Sequence, residues 1–186
     1  MNHDIKKAID VLRKGGVILY PTDTVWGIGC DATSSEAVRK LYEIKRRNAE
    51  PALVLVYDID MIYRYVREVP AVAVQLIEVA DKPLTVVLPN ACGLAPEITG
   101  ADGSIGIRPA YHEYCHNLLK MYKKPIVSTS ANISGQPAPK HFNEISPEIL
   151  NGIDYAVDAK FAGKMTGTPS SIIKVGLAGE IEIIRK

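Results

Sequence analysis

Two segments of this 186-residue sequence gather side chains suited to holding an anion. Ser128-Thr129-Ser130-Ala131-Asn132-Ile133-Ser134-Gly135 follows an apolar run and sets hydroxyls and an amide in a row, ending in glycine. Such groups cap a helix or make Asx turns. The same small hydroxyls with exposed backbone amides also suit a cradle for phosphate or ribose oxygens. Taken alone, capping is the simpler account. Lys45-Arg46-Arg47 could pair with phosphate, yet cations near a helix C-terminus are favoured by ~0.3–1 kcal/mol without any ligand. Gly27-Ile28-Gly29-Cys30-Asp31-Ala32 fits the G-x-G-x-x-A dinucleotide pattern, but Pro21 to Trp26 intervene after the preceding strand, so the strand does not lead into the glycines as that fold requires. The simpler expectation is that Gly27 and Gly29 let the backbone turn or pass close to another segment. His112 and His116, at i and i+4, could share a helix face toward a metal; no carboxylate or cysteine motif converges on them, and surface or helix-capping positions fit better. Phosphate loops of the G-x-x-x-x-G-K-S/T type, G-x-S-x-G elbows and H-E-x-x-H helices are absent.

The elements that must position these residues follow from periodicity. Ile5, Ala8, Ile9 and Leu12 predict an amphipathic helix over residues 4–14, stopped by Gly15-Gly16. Val17–Tyr20 reads as a buried strand, and Pro21 to Asp31 as a structured loop, since Pro21 lacks an amide donor. Thr33 and Glu36 have the spacing of a capping box for a helix whose buried stripe is Ala37, Val38, Leu41 and Ile44 and which ends near Lys45-Arg46-Arg47. Ala52–Val56 is a second strand, followed by helical stretches at Met61–Val66 and Pro70–Ala80. Leu84–Leu88, Ser104–Ile107, Ile126–Ser128, Tyr155–Val157, Ser171–Val175 and Ile181–Ile184 bring the strands to eight. Helical segments separate some of them and short turns such as Gly176–Gly179 separate others, so parallel and antiparallel pairs should mix. The proline-rich loop from Ser134 to Pro147 is expected to be the most mobile part.

Composition narrows the function. Lys and Arg total 22 against 21 Asp and Glu, a formal charge of +1, whereas tight nucleic-acid binding through many phosphate contacts calls for a more basic chain. A non-catalytic RNA-binding module is the alternative of a different class, and the nine Tyr, two Phe and one Trp form no stacking motif for it. Cys30, Cys92 and Cys115 are widely spaced and odd in number, which points away from a disulfide framework or zinc site and toward a reducing compartment. No apolar run approaches the ~20 residues of a membrane span, and the N-terminus lacks an apolar signal core, so a cytoplasmic protein is expected.

Five ordered motifs together resemble the YrdC-like family of threonylcarbamoyl-AMP synthases. The family's P-T-D/E-T-V-x-G-x-G loop reads here from Pro21 to Gly29, and its K-x-R helix end reads Lys45-Arg46-Arg47. Lys82-Pro83-Leu84-Thr85 resembles its G-P-L-T strand, Ser104 to Arg108 its S/T-x-x-x-R strand, and Ser128 to Gly135 its late serine–asparagine segment. The resemblance implies an α/β (α+β) fold, a twisted mixed parallel/antiparallel sheet flanked by helices around a concave basic cavity, with residues 1–186 as a single domain. It implies an enzyme that joins L-threonine, bicarbonate and ATP, with Mg2+, into threonylcarbamoyl-AMP and pyrophosphate, for transfer by a partner complex to the tRNA adenosine beside the anticodon. Strong direct nucleic-acid binding is not expected. The family's signature falls on Lys45, Arg47, Ser130 and Asn132 as catalytic residues. Nucleotide contacts fall on Arg47, Ser104, Ser130, Asn132 and Arg185, and threonine contacts on Thr22, Arg108, Ser128 and Ser170. For Arg108 a surface ion pair is the competing expectation.

Some positions depart from the family pattern. Pro51 and Ala52 stand where a basic residue and then Pro or Gly are usual, so one cavity cation is missing or comes from elsewhere, such as Arg46. Trp26 replaces a smaller ring, and Pro169 an acidic residue. The related carbamoyl-transfer modules of hydrogenase maturation sit in much longer chains, and with the sequence ending at Lys186 the extra C-terminal domain of the family's long members is not expected.

Overall fold

The computed structural model describes residues 1–47 and 51–186. In chain order the elements are α1 (Asn2–Arg13), β1 (Ile18–Tyr20), β2 (Gly27–Gly29), α2 (Ser35–Lys45), β3 (Leu53–Val56), α3 (Ile59–Tyr65), α4 (Ala71–Val79), β4 (Leu84–Leu88), β5 (Ile105–Pro109), α5 (Glu113–Tyr122), β6 (Ile126–Ser130), α6 (Pro147–Gly152), β7 (Tyr155–Ala156), β8 (Ser171–Val175) and β9 (Ile181–Arg185). The strands form one mixed sheet in the order β7-β1-β2-β6-β3-β5-β4-β8-β9. β3 pairs parallel with β5 and β4 with β8, while β1–β2, β2–β6, β3–β6, β4–β5 and β8–β9 are antiparallel. The expected mixture is present, with the Gly176–Gly179 turn joining the last antiparallel pair.

Strand alternation places the cavity. Leu19, Ile28, Val54, Val56, Val86, Leu88, Ile105, Ile107 and Val127 enter one large core on one face of the sheet. The opposite face is divided: near α1 and α5 it carries Ile18, Tyr20, Leu55 and Ile126, which pack against Ile5, Leu12, Tyr114 and Leu118 in a second core. Further along β3 and β6, and on the neighbouring β2, β4 and β5, the residues lining the open part are Gly27, Leu53, Thr85, Val87, Gly106, Ser128 and Ser130, which form a cavity floor. Two helices thus cover half of a sheet face and leave the other half bare.

The structure departs from the sequence expectation at several elements. Gly27–Gly29 is a ninth strand inserted between β1 and β6, where a loop was expected after Pro21, which lacks an amide donor. Its glycines serve close approach: a Cβ on Gly29 would overlap the Val127 carbonyl oxygen and stand 2.9 Å from Ile126 Cγ2 and 3.0 Å from a Tyr20 ring carbon. The cap of α2 is Ser34, whose hydroxyl accepts from the Ala37 amide at 3.3 Å; Thr33 instead donates its hydroxyl to Asp31 at 2.6 Å. Asp31 also accepts from Tyr122 and Lys124, each at 2.7 Å, so a buried carboxylate claims the threonine that the spacing assigned to a capping box. Periodicity did not pick out α5 and α6. Within the Ser134–Pro147 loop, Phe142 packs edge-on against Trp26, with ring centroids 5.1 Å apart. α1 ends as expected, with Gly15 at φ +76°.

Gly29→Ala is expected to destabilise by ~1–3 kcal/mol, a typical overpacking cost, and so to lower the melting temperature by several degrees. Thermal unfolding followed by circular dichroism checks this, and an unchanged midpoint would mean that β2 does not approach β6 so closely.

Candidate functional site

The bare half of the sheet encloses a cavity of about 350 Å³. Three arginines line it: Arg47 just beyond α2, Arg108 on β5 and Arg185 on β9. No carboxylate lines it among the described residues, so the field inside is positive although the chain is almost neutral. Hydroxyls from Thr22, Thr24, Thr85, Ser104, Ser128, Thr129, Ser130 and Ser170 complete the polar wall.

Each wall is held by its own bonds. Thr22 shapes the first loop: its hydroxyl donates to the Val25 carbonyl at 2.7 Å and accepts from the Thr24 and Val25 amides at 3.1 and 3.2 Å. Arg108, 3% exposed, meets Asp23 at 3.1 Å and donates to Thr24 Oγ1 at 3.4 Å. The pair expected on the surface is therefore buried, with Arg108 reaching the cavity from a central strand. Ser104 donates its hydroxyl to Asp102 at 2.6 Å, and Lys174, 2.8 Å from Asp102, together with Ser104 holds that carboxyl well below its ordinary range. Ser170 shares a hydrogen bond of 2.8 Å with Thr85 and accepts at its carbonyl from Arg185 Nε at 2.9 Å. Burial and the neighbouring charge of Arg108 lower Arg185 from its ordinary value.

Eight of the ten site residues expected from the sequence line this one cavity: Thr22, Arg47, Ser104, Arg108, Ser128, Ser130, Ser170 and Arg185. Lys45 and Asn132 do not. Lys45 lies on the buried stripe of α2 and donates to the carbonyls of Ser130 and Asn132 at 2.6 and 2.7 Å, pinning the turn that ends β6 from behind. Burial, and then the charge of Arg47, push Lys45 down to about 8. Asn132 donates to the carbonyls of Ile133 and Gln136, at 3.0 and 2.7 Å, and so builds the turn itself. The two accounts of the Ser128–Gly135 segment therefore divide between its residues: Ser128, Thr129 and Ser130 face the cavity and Asn132 makes the turn, while no helix follows directly for them to cap.

Other expectations find different places. Arg46 points away and meets Glu148 at 3.1 Å in the open, so it does not supply a cavity cation, whereas Pro51 and Ala52 line the wall. Arg47 stacks over Tyr42, 5.4 Å from the ring centroid, and donates to the Pro51 carbonyl at 2.8 Å. His112 is buried and bonds the Ala162 carbonyl at 2.7 Å, and His116 packs on Tyr57, so neither caps α5 by its ring. Thr24, Thr85 and Asp23 were not singled out from the sequence. Two of them lie inside the P-T-D-T motif, which was the available signal.

The arrangement is a cationic, hydroxyl-lined pocket on a mixed sheet, and residues 10–186 match the model of the Sua5–YciO–YrdC family, described as telomere recombination. The chain belongs to that family. Among its relatives, the threonylcarbamoyl-AMP synthase of Xanthomonas campestris pv. campestris is 32% identical over 177 residues, covering 93% of this chain and 95% of the relative. The Vibrio cholerae protein of the same name is 34% identical over 165 residues, covering 87% and 88%. P. abyssi Sua5 complexed with L-threonine superposes with a TM-score of 0.84 at 28% identity over 92% of this chain, which spans only 50% of that structure. E. coli YciO shares the fold, with a TM-score of 0.85 at 21% identity over 100% of this chain and 90% of its own.

Two predictions follow from the cations of the α2 terminus. Arg47→Lys loses the planar fork and the stacking on Tyr42, so catalysis should fall by ~1.5–3 kcal/mol, roughly ten- to hundredfold, while Arg46→Lys, exposed beside Glu148, should be nearly silent. Equal activities at equal melting temperatures would remove Arg47 from the site. For Lys45, the unfolded chain binds more protons than the folded one between about pH 8 and the ordinary value of 10.5, so its burial penalty is full below pH 8 and is relieved as pH rises through that window. The stability of the wild type relative to Lys45→Met should therefore increase between pH 7 and pH 10 in urea titrations; a pH-independent difference would mean that Lys45 keeps its proton throughout.

Proposed function

We propose that this cavity is where the chain, a threonylcarbamoyl-AMP synthase by its family, joins N-carboxylated L-threonine to the adenylate of ATP. The observation that carries the assignment is the meeting of three arginines and a wall of hydroxyls, with no lining carboxylate among the described residues, on one bare sheet face. A carbamate oxygen attacking the α-phosphorus brings an anion toward a polyanion. The new P–O bond forms as the bond to pyrophosphate breaks, and fixed cations offset the repulsion along the way.

The nucleotide is assigned to the side of Arg47, Ser104, Ser130 and Arg185. Arg47 offers a fork to phosphate oxygens, and Ser130 is held in place by Lys45 gripping its carbonyl. Lys45 and Asn132 thereby act on the nucleotide through the turn they build, in a positioning role. Threonine is assigned to the side of Thr22, Arg108, Ser128 and Ser170, where a guanidinium suits its carboxylate. Magnesium is assigned to the substrate, because the phosphates of ATP are its natural ligands.

Residues 1–186 act as one unit, because Thr22 and Arg185, from opposite ends of the sequence, line the same cavity. The volume suits a small molecule and not an RNA segment, which favours the enzyme over the RNA-binding alternative. The product's mixed anhydride is an activated acyl group that a tRNA-modifying transferase complex would consume, in the cytoplasm; no helix among the described residues is long and apolar enough to cross a membrane.

Purified protein with Mg2+ and ATP should release pyrophosphate only when L-threonine and bicarbonate are both present, as followed by a coupled phosphate assay and by chromatography of the adenylate. Pyrophosphate release indifferent to threonine would overturn the assignment.

A further inference from the structure

We propose that Asp23 is a positioning residue for the threonine side of the cavity, clamping the Arg108 guanidinium so that its remaining N–H edge is presented to an amino acid carboxylate. This rests on the synthase assignment above and adds to it a residue that does not line the cavity.

Asp23 is a node for three segments of the wall. Its carboxylate meets Arg108 of β5 at 3.1 Å. Its carbonyl accepts from the Thr166 amide at 3.0 Å, and the next carbonyl, of Thr24, accepts from Gly167 at 2.9 Å, which ties down the stretch leading to Ser170. The Thr24 hydroxyl, already bonded to Thr22 at 2.9 Å, receives the other terminal nitrogen of Arg108. Arg108 is 3% and Asp23 12% exposed, so water contributes little to holding either group in place. Arg108 Nε is buried and has no hydrogen-bond partner in the structure, and neither has Asp23 Oδ2. A buried N–H without a partner is costly, and on a side chain that lines the cavity a bound carboxylate is a natural acceptor for it.

Positioning and plain charge balance predict opposite signs. If Asp23 only neutralised Arg108, removing its charge would leave the site more positive and tighten a carboxylate ligand. If it orients the guanidinium, the same change loosens binding, because a two-point hydrogen bond depends on alignment. Asp23→Asn leaves the backbone bonds to Thr166 and Gly167 available, so its effect should be confined to the side chain.

The test compares wild type, Asp23→Asn and Asp23→Glu by steady-state pyrophosphate release and by calorimetric titration with L-threonine. Asp23→Asn should raise KM for threonine at least tenfold and weaken threonine binding in parallel, with KM for ATP within twofold of wild type. Asp23→Glu, which keeps the charge but lengthens the tether by one methylene, should lie between, at about threefold. If Asp23→Asn does not fold, because it leaves a buried cation unpaired, Asp23→Glu decides alone: a threefold rise for threonine at constant KM for ATP supports the clamp, and an unchanged KM overturns it. Unchanged or tighter threonine binding in folded Asp23→Asn, or a parallel rise in both KM values, also overturns it. A wild-type protein inert to threonine in both measurements overturns the synthase assignment and the clamp together, whereas an active wild type with a silent Asp23→Asn overturns the clamp alone.

Discussion

A guanidinium buried on a central strand constrains everything around it. Arg108 sits on β5 at the boundary between the face covered by α1 and α5 and the face left open, and a charge there must be paired or solvated. Asp23 provides the pairing from a loop which Thr22 folds back on itself and whose start is held by the Cys115 thiol donating to the Pro21 carbonyl at 2.8 Å. The P-T-D-T segment thus has a defined path because two of its side chains converge on one cation while a third closes the turn. Buried pairs of this kind add little net stability compared with apolar packing, so their consequence lies in geometry.

The cavity itself results from an unfinished layer. Strand alternation sends one set of side chains into the large core, and the opposite set would need covering were it apolar throughout. Only the half bearing Ile18, Tyr20, Leu55 and Ile126 is covered. The other half carries serine, threonine and glycine beside Leu53 and Val87, and its small and hydroxylated side chains tolerate water and leave depth: a Cβ on Gly106 would stand 3.3 Å from Thr85 and occupy the floor. The arginines come from the rim and from Arg108 below, and Lys174 with Asp102 braces Ser104 from outside.

Lys45 illustrates how a motif residue and its role come apart. In a linear pattern it is a cation two places from Arg47, and both look like phosphate ligands. On the helix the two diverge: Lys45 falls on the stripe with Val38, Leu41 and Tyr42, while Arg47 lies past the left-handed cap at Arg46 (φ 51°) and turns to the cavity. Burial lowers the affinity of Lys45 for its proton, and the two carbonyls it grips are those that shape the end of β6.

Much was legible in the sequence alone. Period-3.6 and period-2 patterns located α1, α2 and eight of the strands, because burial on one face is written into residue order, and the family resemblance collected eight of the residues that line the cavity, six of them within the five motifs. Position on a strand or helix is a local property, so the sequence by itself determined which residue types would be present and on which element. What only the tertiary structure decided are relations between distant segments. β2 exists because β6 lies beside it and glycine permits the approach; Thr33 leaves its cap because Asp31, Tyr122 and Lys124 meet there; Asp23 finds Arg108 across the chain. Pairing energies of that kind depend on distance in space, which spacing along the chain does not encode.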